Sequence, residues 1–161
     1  MVYGAISYNW KSKLVFFQRS RGKGICTRDY LNQVPKPVIA PAFSWKTDYH
    51  GVLQRGRYVE DHAPIHGTKG LLNVEKALLG IPLHYRPASS PDLNPIENVW
   101  SILKQRIKAY PVFPNTVEKL KAVVVQDEWD RLQPEDWNKY IDSMPDRVAE
   151  VNQRKGLATR Y

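Results

Sequence analysis

Apolar and polar positions along the chain follow two periods, one of strands and one of helices, and together they predict a mixed α/β protein. Residues 1–7 and 13–17 are short apolar runs rich in β-formers, separated by a polar stretch that can turn, so an antiparallel hairpin is expected at the N-terminus. A basic loop follows at 18–24, and Thr27 opens an expected helix over 28–33. Pro35, Pro37 and Pro41 interrupt the region where a longer helix would otherwise run, and residues 38–53 read as helical until Gly56 and Arg57 end the run. Residues 58–61 read as a buried strand with Asp61 at its C-terminal end. Thr68 can cap a helix whose apolar face is Leu71, Leu72, Val74, Ala77, Leu78 and Leu79, closed by Gly80, and residues 81–85 form the next strand.

The most sharply defined helix begins at Pro95. Asn94 is a favourable N-cap residue and proline suits the first helical position, where no backbone donor is needed. At about 100° per residue, Ile96, Val99, Trp100, Leu103 and Ile107 fall on one stripe, which places Trp100 in the core and not on a base-stacking surface. Glu97, Lys104 and Lys108 lie along the edge of that stripe. The tail is helical throughout, with expected segments at 117–129, 134–141 and 145–153.

Composition narrows the class. A length of 161 residues suits one domain, and the single cysteine, Cys26, excludes an internal disulfide. No apolar run approaches the roughly 20 residues needed to span a bilayer. The net charge of +8 is unevenly placed: residues 1–59 hold ten Lys or Arg against Asp29 and Asp48 alone, and the remainder is balanced. A basic half of this kind is the expected footprint of a phosphate-binding surface, with Arg19, Arg21 and Lys23 in its first loop.

Two stretches carry specific chemistry. The run Ser90-Pro91-Asp92-Leu93-Asn94-Pro95-Ile96-Glu97-Asn98-Val99-Trp100 closely resembles the signature around the third acidic residue of the Tc/mariner superfamily of transposases. Upstream, Asp61-His62-Ala63-Pro64-Ile65-His66 is similar to the family's segment around the second acidic residue, usually Asp-Asn-Ala-Pro-x-His, with His62 in place of the Asn. Thirty-five residues separate Asp61 from Glu97, one more than the interval many members keep, a loop insertion that costs little. Asp92 falls inside the signature but is expected to serve the turn. His66 is expected to touch DNA or to order the loop near Asp61.

The resemblance implies a ribonuclease-H-like fold, a mixed sheet flanked by helices with a helical C-terminal tail. It implies Asp61 and Glu97 as catalytic carboxylates that hold Mg²⁺ or Mn²⁺, converging on a shared cation beside a positively charged wall. Phosphodiester cleavage and strand transfer in this family use two such ions, and hard ions of this kind prefer carboxylate oxygens. DNA is the implied partner, contacted by His66, Lys104, Lys108, Arg19, Arg21 and Lys23, with a further copy of the chain or a full-length transposase as a second, and the nucleus is the implied location. The first residues of this chain resemble the strand that follows the one bearing the family's first aspartate. Two carboxylates are therefore expected instead of three, with little or no nuclease or strand-transfer activity from this chain alone. The same resemblance predicts either direct pairing of the strands at 2–7 and 58–61 or a marginally stable domain that needs a partner. The alternative is a non-catalytic nucleic-acid-binding or protein-interaction remnant of such an enzyme.

Overall fold

The computed structural model describes residues 1–18, 24–44, 57–61, 63–66, 71–87 and 90–161. Residues 45–53 of the helix expected over 38–53, the basic residues Arg19, Arg21 and Lys23, and also His62 and Thr68, lie outside the described residues. The chain packs as two compact units, the first made of Met1–Tyr3 and Val15–Ser89, the second of Gly4–Leu14 and Ser90–Tyr161.

The N-terminal hairpin is present as two short antiparallel ladders. Strands β1 (Val2–Tyr3) and β4 (Val15–Phe16) pair in the first unit, and β2 (Ile6–Ser7) and β3 (Trp10–Lys11) pair in the second. The turn is narrower than the sequence suggests: Trp10 and Lys11 are strand residues, and only Tyr8 and Asn9 bridge the ladder. Asn9 takes the left-handed conformation, φ 56°, which its short polar side chain tolerates. The register steps by one residue between the two ladders, from Tyr3 opposite Val15 to Ile6 opposite Lys11, as a bulge requires.

In the first unit, α1 (Thr27–Gln33) is opened by Asp29, whose Oδ2 accepts from the Cys26 amide at 3.0 Å, so this buried acid serves as a cap. The prolines that were expected to break the next region instead lie within it. A π-helical turn at Pro35–Ile39 runs into α2 (Ala40–Ser44), and the Val38 and Ile39 amides both bond to the Val34 carbonyl at 3.0 and 3.2 Å. Prolines 35 and 37 have no amide to lose, and the wider turn uses the amides that remain. Strand β5 (Tyr58–Val59) pairs in parallel with β6 (Leu83–His84), shorter than the sequence suggests for both, and Asp61 stands two residues past the end of β5. Val59 is 42% exposed, so this strand is buried on one side only.

Direct pairing of the strands at 2–7 and 58–61 is not observed among the described residues. Side chains link them instead. The Tyr3 hydroxyl bonds to the Tyr58 hydroxyl, which lies 3.1 Å from that of Tyr30, and Tyr30 in turn donates to Glu60. Burial raises the pKa of all three phenols above the ordinary tyrosine value, so they stay protonated as donors. Helix α3 (Leu71–Leu78) also corrects the sequence reading: Val74, Ala77 and Leu78 of the expected apolar face are exposed, and the fully buried side chain is Lys76. It faces inward because its ammonium has acceptors there, Glu60 Oε2 at 2.5 Å and the His66 carbonyl at 2.8 Å.

The second unit is helical, as expected. Helix α4 (Pro95–Lys108) begins where the sequence places it and buries Val99, Leu103 and Ile107. Val99 and Leu103 form a cluster with Trp129, Leu132 and Trp137, against which Ile96 and Trp100 pack. The Trp100 and Trp129 rings stack at 5.4 Å, confirming Trp100 as a core residue. Helix α5 (Val117–Ala122) continues as a π-helical stretch, Val123–Trp129, followed by α6 (Pro134–Asp142) and α7 (Met144–Gln153). The β2–β3 hairpin closes this core. Its Ser12 and Ser7 carbonyls accept the indole N–H groups of Trp129 and Trp137 at 2.9 and 3.0 Å, while Lys11 Nζ donates to the Trp129 and Leu132 carbonyls at 2.6 Å. A Cβ on Gly4 would meet Leu14, Trp100 and Trp129 at 3.0 Å, so only glycine fits there without movement.

Candidate active site

Asp61 belongs to the first unit and Glu97 to the second. Asp61 follows a parallel strand pair, where both chains leave the sheet at the same edge, and edges of this kind are the usual place for ligands in α/β folds. Its carboxylate is held on one side. Oδ1 lies 2.6 Å from His66 Nδ1 and accepts from the Ala63 amide at 3.1 Å, while His66 Nδ1 also reaches the Asp61 carbonyl at 3.2 Å. His66 is buried, with its ring 4.4 Å from that of Tyr30. The imidazole is thus committed to ordering the Asp61 loop. Among the described residues Oδ2 takes no hydrogen bond, and the side chain is 53% exposed.

The bond from His66 is the chief cause that lowers the Asp61 pKa to about 2; burial opposes it, and the Ala63 amide and the charges of His66 and Arg86 assist. Its folded value lies below its unfolded value. Whatever stability the ionised group confers is complete above about pH 4, the ordinary aspartate range, and is lost as the pH falls through 2. Near neutral pH Asp61 is a fixed anion whose Oδ2 accepts no hydrogen bond among the described residues. Substituting His66→Gln is expected to raise the Asp61 pKa toward its ordinary value of 3.8, read from the carboxyl carbon shift in an NMR titration; an unmoved titration would show that His66 does not hold this group.

An open cleft beside Asp61 is lined by Glu60, Asn73, His84, Tyr85 and Arg86 as well as by Asp61 itself. Glu60 bonds Tyr30 and Lys76, so it supports the floor and leaves Asp61 as the outward carboxylate. Nothing in the sequence marks Lys76 or Arg86 as neighbours of Asp61; the parallel β5–β6 pairing and the inward turn of Lys76 bring them there.

Glu97 sits in the first turn of α4, exposed, and among the described residues its carboxylate accepts no hydrogen bond. The capping box that Asn94 and Glu97 could have formed is not made; the Glu97 amide bonds instead to the Asn94 carbonyl at 3.0 Å. Lys104 and Lys108 are exposed on the same helical face. The loop before α4 is held from the C-terminal side. Arg147, fully buried, donates from Nη1 to the Asp92 carbonyl at 2.6 Å and from Nη2 to Asn98 Oδ1 at 2.9 Å. Asp92 Oδ2 accepts from the Thr159 amide at 2.7 Å, and the expected structural role of Asp92 is what the geometry shows. Burial would raise the Asp92 pKa, but the Thr159 bonds and the Asp92 and Leu93 amides together lower it. No spacing in the sequence links Arg147 to the motif it supports, since the two stand far apart along the chain.

Free carboxylate oxygens suit a hard divalent ion, and those of Asp61 and Glu97 are the ones the motifs select. Among the described residues no cluster of three or more His, Cys, Asp and Glu side chains could hold a metal ion. No described helix is long and apolar enough to cross a membrane.

The family model described as DDE superfamily endonuclease matches residues 1–121, a span that includes both Asp61 and Glu97. The Tc3 transposase of Caenorhabditis elegans is 35% identical over 128 residues, which are 71% of this chain and 38% of that protein. The Tc1 transposase of the same organism is 36% identical over 75 residues, 47% of this chain and 26% of that protein. The chain therefore spans well under half the length of these relatives. A structure of the Mos1 transposase catalytic domain with raltegravir and Mn superposes with a TM-score of 0.69 at 18% identity, covering 99% of this chain and 84% of that one. That likeness establishes the expected ribonuclease-H-like α/β fold.

Proposed function

Since this chain belongs to the DDE superfamily of endonucleases, in its Tc/mariner branch, we propose that it is a metal-dependent DNA-cleaving and strand-transfer domain of a transposase, with Asp61 and Glu97 as carboxylate ligands. The observation that supports this best is that both motif carboxylates fall inside the family match, and among the described residues Asp61 Oδ2 and the Glu97 carboxylate accept no hydrogen bond. When bound, Mg²⁺ or Mn²⁺ would activate the attacking hydroxyl and stabilise the leaving oxygen. The chain's own residues do the holding: His66 and the Ala63 amide fix Asp61, and the first turn of α4 presents Glu97. DNA is the substrate in this reading. Lys104 and Lys108, with Arg19, Arg21 and Lys23 of the basic loop, contact its phosphates, and His66 acts through Asp61. The protein works in the nucleus, with a second copy or a longer transposase as its companion.

Two motif carboxylates are fewer than the two-ion mechanism ordinarily uses, so plasmid nicking in Mn²⁺ by this chain alone is expected to be slow. Metal binding is the sharper test. Mn²⁺ titration followed by electron paramagnetic resonance should show a site whose affinity falls in Asp61→Asn and in Glu97→Gln by more than the ~10–100-fold that losing an outer hydrogen bond costs. Unchanged Mn²⁺ binding in both variants, together with DNA binding indifferent to metal, would leave a non-catalytic nucleic-acid-binding module.

A further inference from the structure

Strand pairing sets a pair of hydrogen-bond donors beside Asp61 that no motif selects. His84 stands opposite Val59 in the parallel β5–β6 pair, two residues before Asp61, and it lines the same open cleft. Successive side chains of a strand alternate between faces. Tyr58 is buried while Val59 and His84 are exposed, so the imidazole stands on the solvent side of the pair. Arg57, the residue before β5, is exposed as well, and its Nη1 lies 3.2 Å from His84 Nδ1.

That contact fixes where the ring proton resides. A guanidinium can only donate, so Nδ1 accepts, and the uncharged ring carries its proton on Nε2. Among the described residues Nε2 has no hydrogen-bond partner and Arg57 pairs with no carboxylate, so an outward N–H and the remaining guanidinium donors are left for a ligand. With the lone pair of the ring already used, the two side chains offer donors and no acceptor, the complement of an anion. A guanidinium matches the oxygens of a phosphate, and an imidazole N–H can take a further oxygen of the same group.

We propose that Arg57 and His84 together bind one backbone phosphate of DNA beside the cleft that Asp61 lines. The proposal rests on the reading of this chain as DNA-binding and requires no metal ion. Arg57 has two parts in it: it contacts the phosphate, and it holds the imidazole in the form that donates from Nε2.

The test uses the full 161-residue chain and a short fluorescein-labelled DNA duplex without divalent metal, with anisotropy read across a series of salt concentrations. Arg57→Gln keeps an N–H donor for Nδ1 but loses the charge. The slope of the logarithm of the binding constant against that of salt concentration should therefore flatten by about one. His84→Leu removes an uncharged donor, so duplex binding should weaken by about fivefold, the worth of one net hydrogen bond, with the slope unchanged. Nitrogen-15 NMR of the histidine rings should show His84 protonated at Nε2 in the unaltered chain and a mixture of tautomers in Arg57→Met, a change that a merely structural arginine would not cause. The duplex should shift the His84 Nε2 resonance strongly and orthophosphate at the same ionic strength only weakly. A shift with orthophosphate alone would identify a site for a free anion and overturn the DNA assignment. Unchanged affinity and slope in both Arg57→Gln and His84→Leu would overturn the role of this pair while the DNA reading stands; a chain that binds no duplex at all ends both.

Discussion

Replacing Lys76 with methionine is expected to destabilise the first unit by about 3–5 kcal/mol, the usual cost of removing one partner from a buried ion pair. Lys76 is wholly inaccessible and the Glu60 side chain it meets is only 10% exposed, so water cannot replace the lost partner. Methionine fills a similar volume and leaves three polar groups in difficulty: the Glu60 carboxylate, the His66 carbonyl and the Tyr30 hydroxyl whose acceptor is Glu60. The ammonium also lies 5.3 Å from the Tyr30 ring centroid, an attraction that methionine keeps only in weaker form. Urea unfolding followed by far-ultraviolet circular dichroism measures the loss.

The magnitude comes from the stranded charge and not from the worth of the pair, which a second variant can demonstrate. Changing Glu60→Leu together with Lys76→Met removes both charges, and buried pairs replaced by apolar groups of similar volume often cost nothing. The double variant should therefore recover most of what the single one loses. A Lys76→Met cost under about 1 kcal/mol, the range of exposed pairs, would mean that this lysine reaches water in solution. The consequence for the site is direct. Glu60 adjoins Asp61 in sequence and the Lys76–His66 bond fixes the residue that orients Asp61, so this pair holds the cleft wall from behind.

Legibility in the sequence followed the strength of local rules. Helix α4 could be placed to the residue because a favourable cap, a proline at the first position and an apolar stripe all agree. The signature around Glu97 and the segment around Asp61 were legible because specific residue types recur there in order. In helix α3 the apolar count points to the wrong face for a physical reason: a lysine with two internal acceptors decides which face turns inward. At Pro35–Ile39 the prolines signal a break, yet the chain builds a π-helical turn there from the amides that remain. The tyrosine and glutamate network replaces a backbone ladder that the sequence suggested, and no short-range pattern reports bonds between residues 3, 30, 58 and 60. Partners distant in sequence escape any reading that proceeds by period and spacing.

Arg147→Met is the second variant expected to cost about 3–5 kcal/mol, by removing a buried charge-assisted network in one step. The guanidinium donates to the Asp92 carbonyl, to Asn98 Oδ1 and to Ser143 Oγ, and it lies 4.7 Å from the centroid of the Tyr161 ring. Methionine can fill the space but can donate to none of the three. Asp92 and Asn98 flank Glu97 in sequence, so the loop that delivers the chain to α4 loses its brace, and amide exchange at residues 92–99 should quicken more than in the rest of α4. Lysine at 147 should restore less than half of the loss, because one ammonium cannot reproduce a fork that binds two groups at 2.6 and 2.9 Å. Asn98→Ala in combination should be strongly non-additive, with a coupling of about 1–2 kcal/mol, since the two residues share one bond. Additive effects, or an Arg147→Met loss below about 1 kcal/mol, would show that the C-terminal helix merely covers this loop and does not hold it. The family match ends at residue 121, yet the side chain that fixes the approach to Glu97 stands 26 residues beyond it, so the C-terminal helix is part of what presents this carboxylate.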